Sequence, residues 1–463
     1  MRPVQLVLRH ALPLVLPFAA LAAPTFHRDI EPILQAHCQS CHRPGEIGPM
    51  ALLSYQDTRK WATAIKEAVA LKRMPPWFES GTQEAGTQEV GTQESGTQEA
   101  GAPQGRRGHF RNDSSLSPAD IQTIKAWVDS GAPEGDSKLA PPPRRFTEGW
   151  GIGQPDRVIT MPEYEVPPTG TVEYTYVILP SGLTEDTWVR ASEIRPGNRA
   201  VVHHAFLFVR TPGSKWFAGY PEGKAFVPTP RPGSTQKRNS DGDRTKEGSI
   251  ADEQLASYVP GEEPVVLPDD TAFLVKAGSD FVLQIHYTSN GKPATDTTRI
   301  GLLYAPKPPA RRGWFDGISA SRFVIPPNDP NYVFETFATL ATDVRLISAG
   351  PHMHLRGKSM EMRAVYPTGE SETIFNVPRY DFNWQQLYEF PAPKLLPKGT
   401  RLELRATFDN SANNPHNPDP SATVRFGEQS QEEMMIGFLT LQIDRETDIS
   451  RLMEPKPKPV KVP

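Results

Sequence analysis

Residues 281–287, FVLQIHY, decide the fold class of most of this 463-residue chain. The segment has a period of two, a pattern typical of a β-strand. The same pattern recurs in 171–179 (TVEYTYVIL), 401–408 (RLELRATF) and 436–443 (IGFLTLQI), with intervening turns rich in Gly, Pro, Asn and Asp. From about residue 156 onward, roughly 300 residues of short strands without helices favour two successive β-sandwiches over one.

The composition agrees with this fold class and narrows the partners. The chain contains 49 prolines, which lack a backbone donor and break helix interiors, so short strands joined by turns are favoured. The net charge of −4 comes from signs that are mixed along the chain. Because no basic stripe is present, nucleic acid is not an expected partner. The charged residues 231–246 predict a solvated loop.

Residues 23–136 predict a small all-α domain. Apolar residues recur at helical spacing over residues 55–72. A later helix is predicted to start at the N-cap Ser117, with Pro118 in its first position. GTQE occurs four times from residue 81 onward, and because Gly, Gln and Glu cannot build a core, residues 80–105 predict a disordered insertion.

The first 22 residues have the pattern of a secretory signal peptide. Arg2 and Arg9 are its positive charges, residues 11–21 are apolar, and Ala20-Leu21-Ala22 is a cleavage motif. An uncleaved anchor or a buried N-terminal segment is the alternative. The signal peptide predicts a periplasmic or secreted bacterial protein, and no later apolar stretch is long enough to span a membrane after cleavage.

The predicted protein is therefore multidomain. In chain order the predicted units are a signal peptide (1–22), the helical domain (23–136), a Pro- and Gly-rich linker (137–155), a first sandwich (156–310), a second sandwich (311–448) and an extended tail (449–463).

The only two cysteines lie in one short motif, Cys38-Gln39-Ser40-Cys41-His42. C-x-x-C-H is the attachment pattern of a c-type haem, with the two thiols bonding the porphyrin and the histidine ligating iron. A redox dithiol and half of a zinc site are the alternatives. A zinc site would need two further ligands at suitable spacing, and no second C-x-x-C is present. The motif therefore predicts one covalent haem.

The sixth iron ligand is expected to be a soft or imidazole donor, and a methionine is the best candidate. Met74, in Met74-Pro75-Pro76, resembles the axial methionine of small bacterial cytochromes c, and Met50 is its rival. Either methionine alternatively packs in the core. Together with the C-x-x-C-H motif and the last helix, the segment gives residues 24–136 a resemblance to a cytochrome c domain, from which the GTQE insertion departs.

Five of the eleven histidines fall in three β-rich motifs. His352 and His354 are two residues apart, a spacing that puts both side chains on one face of a strand. His203 and His204 are adjacent, so both can bind one metal ion only where their strand twists or bulges. The fifth, His286, belongs to Gln284-Ile285-His286-Tyr287.

A soft ligand completes the set. Met434, in Glu432-Glu433-Met434-Met435, offers a thioether, which suits Cu(I) better than Zn or Mg. Met435 is the alternative if the register is off by one. Two imidazoles with one methionine would make an open, oxygen-reactive copper site, and three imidazoles a redox copper site.

The ordered motifs HH, Q-x-H-Y, H-x-H-L-x-G and E-E-M resemble the copper type II, ascorbate-dependent monooxygenases over about 156–445. That family includes peptidylglycine α-hydroxylating and dopamine β-monooxygenase. The resemblance implies two jelly-roll sandwiches with one copper ion on each, facing a solvent cleft. It assigns the electron-transfer copper to His203, His204 and His286, and the oxygen-activating copper to His352, His354 and Met434.

Three departures from the family pattern limit this resemblance. The animal enzymes contain disulfides, whereas both cysteines here belong to the haem motif. Gly350 stands where the peptide-amidating enzyme has an Arg that binds the substrate carboxylate. Ile436 and Phe438 replace its Asn and Tyr, so peptide amidation is not supported. His109 and His416 have no partner pattern and are interpreted as surface or loop residues.

These residues predict a monooxygenase that hydroxylates an sp³ C–H bond of an unidentified small organic substrate with O2. The expected electron donor is an ascorbate-like reductant or another redox protein, and the fused haem is a candidate relay to the first copper. Two alternatives stay open. One is a copper-binding or electron-transfer protein without hydroxylation, and the other is a cytochrome with purely structural histidines.

Overall fold

The structure is a computed structural model that describes residues 23–79, 110–147, 149–170, 172–228, 253–427 and 429–454. The predicted signal peptide, the GTQE repeats, His109, the polar stretch 231–246 and the end of the tail from 455 lie outside these residues. Within the described ranges, no helix is both long and apolar enough to cross a membrane.

The four α-helices of the described chain all precede the β-rich part. They follow a π-helical turn (Phe26–Ile30) and are α1 (Glu31–His37), α2 (Tyr55–Arg59), α3 (Ala62–Ala70) and α4 (Pro118–Asp129). Ser117 caps α4 through a capping box with Asp120, as predicted. The single helix predicted over 55–72 is instead divided into α2 and α3. Phe26, Leu34 and Trp127 belong to the apolar core of this region.

Twelve strands form the first β module, and the protein is mostly β from this point, as predicted. The strands are β1 (Arg157–Thr160), β2 (Tyr164–Val166), β3 (Thr175–Pro180), β4 (Thr187–Arg195), β5 (Val202–Arg210), β6 (Ala225–Phe226), β7 (Glu253–Tyr258), β8 (Val265–Val266), β9 (Thr271–Val275), β10 (Asp280–Tyr287), β11 (Ala294–Asp296) and β12 (Arg299–Tyr304).

Ten further strands form the second β module. They are β13 (Arg311–Ser319), β14 (Val324–Ile325), β15 (Tyr332–Thr339), β16 (Val344–His352), β17 (Gly357–Val365), β18 (Ser371–Val377), β19 (Tyr388–Leu396), β20 (Arg401–Phe408), β21 (Val424–Arg425) and β22 (Ile436–Asp444). The strand expected at 401–408 matches β20.

Each module has two layers around its own apolar core. In the first, the sheet β6-β3-β10-β5-β7 faces β1, β12, β4 and β9, and residues of both layers, such as Phe281 and Ile300, share one core. In the second, the sheet β15-β20-β17-β18 faces β13, β22, β16 and β19, with a core that includes Leu404 and Leu441. Two layers of alternating strands are the architecture of β-sandwiches.

The two modules are joined in one continuous sheet. Strands β9 and β13 pair in parallel, with Arg311 opposite Thr271 and Arg312 opposite Ala272. The shared nine-stranded sheet has the order β1-β12-β4-β9-β13-β22-β16-β19, and β8 adds to β4. The sequence predicted two sandwiches but not this continuity, which depends on a pairing between segments about 40 residues apart that no local pattern encodes.

Two segments lie elsewhere than expected. The tail predicted from 449 starts with a 3-10 turn (Ile449–Arg451), and Leu452 is buried in the core of the second module. Trp77 and Phe110, assigned to the helical domain, also join that core. Their rings lie 5.0 and 5.3 Å from the ring of Tyr388. The helical domain is therefore packed onto the second module by aromatic residues on either side of the insertion.

Candidate metal centre

A β-bulge brings His203, His204 and His286 together. Strands β5 and β10 are neighbours, with His204 opposite His286 but Val202 opposite Tyr287, so His203 is the extra residue on its strand. A bulge re-aims a side chain that would otherwise point to the far face. The structure thus meets the condition under which two adjacent histidines can bind one ion.

The nitrogen atoms of these three histidines converge. One ligand atom from each lies within 4.8 Å of the others, and the Nδ1 atoms of His203 and His204 are 3.2 Å apart. Nitrogens that share a metal ion at about 2.0–2.1 Å are separated by about this distance. Among the described residues, His204 Nε2 and His286 Nδ1 are buried without a hydrogen-bond partner. A buried polar atom without a partner costs free energy, and a metal ion bound to such an atom would remove that cost. This first cluster fits a metal ion.

Burial keeps the first cluster neutral. It lowers the pKa of His203, with Asp381 opposing the effect, and it lowers the pKa of His286 to about 4. The pKa of His204 lies well below its ordinary value because of burial and the neighbouring histidines. The imidazoles are therefore in the unprotonated form that metals bind at neutral pH.

His352 and His354 form a second cluster at the end of β16. Their ring centroids are 5.3 Å apart and the rings are nearly perpendicular, at 89°. His352 Nδ1 donates to Gln385 Oε1 at 2.5 Å, and His354 Nδ1 donates to the Glu432 carbonyl at 3.2 Å. Because each Nδ1 is engaged, each Nε2 is the ligand atom that remains. Burial lowers the two pKa values to about 4 and about 3, respectively.

A buried carboxylate ties the methionine segment to the second cluster. Glu433 is fully buried and accepts from the backbone N–H groups of His354 at 2.8 Å and Arg356 at 2.6 Å. It also accepts from the N–H of Met434 at 3.3 Å. Burial raises its pKa to about 8, although these hydrogen bonds and Arg356 oppose the rise. These three hydrogen bonds, called the Glu433 clamp below, could not be predicted from the motif E-E-M.

The structure separates the two candidate methionines. Met435 is fully buried and belongs to the apolar core of the second module. Met434 is outside that core, and its backbone shares the Glu433 carboxylate with the backbone of His354. Met434 is therefore the better placed of the two to complete the second cluster.

One aromatic ring, that of Phe382, lies next to both clusters. The centroid of Phe382 is 6.4 Å from that of His204, 6.0 Å from His286 and 6.1 Å from His354. Because the His204 and His354 rings both lie next to Phe382, the distance between their centroids cannot exceed about twice the distance from either ring to Phe382. Phe382 belongs to residues 378–387, which connect β18 to β19 and are called the bridging loop below.

The bridging loop also explains a departure from the monooxygenase pattern. A Cβ atom at Gly350 would lie 2.4 Å from the Gln386 carbonyl, a distance that real contacts do not reach. An arginine cannot occupy that position while the loop passes over it. At the other two positions, Phe438 packs its ring 5.4 Å from the His352 ring, and Ile436 lies opposite His352 in the sheet.

The donor set of the C-x-x-C-H motif fits a covalent haem. Cys38 and Cys41 are free thiols, and His42 Nδ1 lies 3.3 Å from the Met50 carbonyl, which leaves Nε2 for iron. Burial lowers the pKa of His42, so the ring is neutral. Met50 packs against the helical core, whereas Met74 is 36% exposed. The identity of the sixth ligand stays a prediction.

The haem motif faces the first β module. Gly261 follows β7, and a Cβ atom there would lie 2.8 Å from Cys41 Sγ. Glu46, four residues after His42, forms an ion pair with Arg199, which lies four residues before His203. His416 is exposed in a loop, as interpreted from the sequence.

Comparison with known proteins adds no family. No protein-family model matches the chain, and no curated protein matches it. The VP2 subviral particle of infectious bursal disease virus is 11% identical with a TM-score of 0.18, and the match covers 61% of this chain and 58% of that one. The tandem CBM22-1-CBM22-2 domain of Paenibacillus barcinonensis Xyn10C is 11% identical with a TM-score of 0.13, covering 62% and 83%. These likenesses are too weak to inform function.

Proposed function

We propose that this chain is a haem- and copper-dependent monooxygenase that hydroxylates an sp³ C–H bond of a small organic substrate. One observation carries the proposal: two clusters of neutral imidazoles both lie next to the Phe382 ring. The first offers three imidazoles, and the second two imidazoles with Met434 nearby. This pairing of a nitrogen-only site with a thioether-containing site matches the ligand preferences of copper.

The reaction balances as substrate C–H, O2, two electrons and two protons giving alcohol and water. Bound copper would supply the one-electron chemistry and the activation of O2. A haem on Cys38 and Cys41 would accept electrons from an ascorbate-like reductant or another redox protein. Because the motif faces the module of the first cluster, the proposed entry point for electrons is His203, His204 and His286.

The protein's own part is to hold the ligands. The bulge at His203 aims the first cluster, and Glu433 fixes the backbone around His354 and Met434. The hydrogen bonds at His352 and His354 present Nε2 of each ring. In the same proposal, residues 23–136 are a cytochrome c domain, the β modules are jelly rolls, and residues 1–22 direct export.

The test is the copper-to-haem ratio of the full, copper-reconstituted protein. We expect about two copper ions per haem, with His203→Ala and His352→Ala each losing about one. His416→Ala is the matched control and should keep both, since His416 is exposed and remote from the clusters in sequence. Absence of copper, or copper unaffected by both variants, would overturn the proposal. Copper binding without substrate-dependent O2 consumption would instead identify a copper-binding or electron-transfer protein.

A further inference from the structure

The bridging loop contacts members of both histidine clusters. Phe382 lies against rings of both, as described, and the charge of Asp381 acts on His203. Gln385 is hydrogen-bonded to His352. Side chains of one ten-residue segment thus reach ligands that belong to two different β modules.

Gln385 fixes the orientation of His352. Its Nε2 donates to the Phe382 carbonyl at 3.0 Å, so its amide oxygen is directed to His352 Nδ1. An amide oxygen only accepts, which requires the Nδ1–H tautomer of His352 and leaves Nε2 as the ligand atom. Gln385 itself is buried, so water does not readily replace it.

Tyr174 extends this contact to the first cluster. Its ring centroid lies 5.1 Å from that of His286 and 5.7 Å from that of His204. Burial raises the pKa of Tyr174, and Gln385 is among the groups that oppose this rise. Neighbouring groups therefore link His286 through Tyr174 and Gln385 to His352 across the boundary between the modules. The Phe382 ring, which lies next to both His286 and His354, provides a second link.

Hydrogen bonds attach the bridging loop to the helical domain and to both β modules. Arg379 donates to the carbonyls of Leu71 and Lys72 in the helical domain. The Tyr380 hydroxyl donates to the Met353 carbonyl at 2.7 Å, between the two histidines of the second cluster. The N–H of Leu387 donates to Glu262 of the first module at 3.4 Å. A segment held by three parts of the protein can transmit a constraint from one to another.

We propose that Gln385 is a positioning residue that couples the two metal sites, so that copper in the first cluster raises the copper affinity of the second. The inference rests on the proposed function. Copper at His204 and His286 fixes the rings against which Tyr174 packs, and Tyr174 in turn orders Gln385 and His352. The second ion then binds a site whose ordering is already complete, and by linkage the effect is reciprocal.

The experiment titrates the copper-free, haem-containing full chain with Cu(II) against a chelator. EPR hyperfine values identify which cluster is filled. Gln385→Leu should weaken the second site by about 10- to 100-fold and alter its Cu(II) spectrum. Gln385→Glu retains the acceptor and should keep the spectrum. Asn383→Ala is the control, because Asn383 is exposed in the same loop and its side chain bonds only Asp381 among the described residues.

Tyr174→Phe isolates the coupling, since it removes one hydroxyl and keeps the ring. We expect it to lower second-site affinity at least about fivefold while leaving the second-site spectrum unchanged. His286→Ala should lower that affinity similarly, and the double variant should lose no more than either single variant. If Gln385→Leu does not fold, Tyr174→Phe and His286→Ala still test whether the two copper sites are coupled.

The outcomes separate the two proposals. Two copper ions bound per haem, with second-site affinity indifferent to Tyr174→Phe and His286→Ala, would overturn the coupling and leave the proposed function intact. A wild-type protein that binds no Cu(II) at either cluster would overturn both.

Discussion

The two histidine clusters contain the same kind of ligand but are built in different ways. The first is made by two neighbouring strands of one sheet, whose register and single bulge bring His203, His204 and His286 together. The second is made at a strand end, where His352 and His354 are held by groups from other parts of the chain. Strand register brings the three histidines of the first cluster together. Hydrogen bonds from distant parts of the chain hold the histidines of the second cluster.

Because the two clusters are built differently, substitutions at different positions are expected to disturb them. Backbone pairing in the first cluster is supported by many ladder hydrogen bonds on both sides of β5. The second cluster depends on a few side chains, of which Glu433 and Gln385 are both buried. We therefore expect single substitutions outside the ligands to damage the second cluster first.

The largest expected effect is that of Glu433→Ala. It leaves three backbone N–H groups without their acceptor, and it removes the carboxylate whose charge acts most strongly on the buried Arg356. We expect a loss of about 3–5 kcal/mol in the free energy of unfolding, measured by urea denaturation. One copper ion per haem should be lost while the first cluster keeps its own.

Glu432→Ala is the matched control. Its backbone carbonyl, rather than its carboxylate, accepts from His354, so the second copper should remain and the stability loss should be much smaller. Equal losses in the two variants would show that the clamp is not what holds the second cluster.

A smaller effect is expected where the bridging loop meets the first module. Burial raises the pKa of Glu262 to about 8, and Glu389 adds to the rise, while Leu387 N–H and Ser257 oppose it. The folded protein keeps a proton that the unfolded chain loses above about pH 4.5, so the stabilisation is complete below that pH and is lost as the pH rises towards 8.

Glu262→Gln removes this titration. Relative to wild type, the variant should gain about 3–4 kcal/mol in the free energy of unfolding between pH 5 and pH 8. Glu263→Gln is the control, because the Glu263 side chain is 74% exposed, and its stability curve should follow wild type. A difference in stability between Glu262→Gln and wild type that stays constant over this interval would contradict the assignment.

The smallest effect on stability distinguishes the two methionines. Met435→Leu conserves volume in the core and should cost less than about 1.5 kcal/mol without changing copper binding. Met434→Leu should be similarly mild for folding but should lower Cu(I) affinity at the second cluster, because it removes a thioether. The reverse assignment of the copper effect would place Met435 at the metal and Met434 in a packing role.

The secondary structure of the β modules was well predicted, because alternation is a local property of the chain. Residues 401–408 match β20, and 281–287 lie within β10. The Ser117 cap followed equally from neighbouring residues. For His203 and His204, the sequence indicated that both can bind one ion only if their strand bulges, and the pairing of β5 with β10 contains that bulge.

The supporting residues could not be predicted. Gln385 lies 33 residues from His352, and Glu433 lies 79 residues from His354. At such separations no periodicity links the partners, and either residue read alone resembles an ordinary surface amide or acid. The constraint at Gly350 likewise depends on a loop that passes over it.

Local sequence patterns were sufficient to identify the residue types of both clusters, the C-x-x-C-H motif, and the change from helical to alternating pattern near residue 156. These are carried by short spacings, which fix the direction of side chains on a strand or helix. Three features became evident only from the three-dimensional structure. Both clusters lie next to the Phe382 ring, one sheet spans both modules, and the buried Glu433 holds the methionine segment. Those features arise from contacts between distant segments, whose register is set by packing of the whole fold rather than by any local pattern.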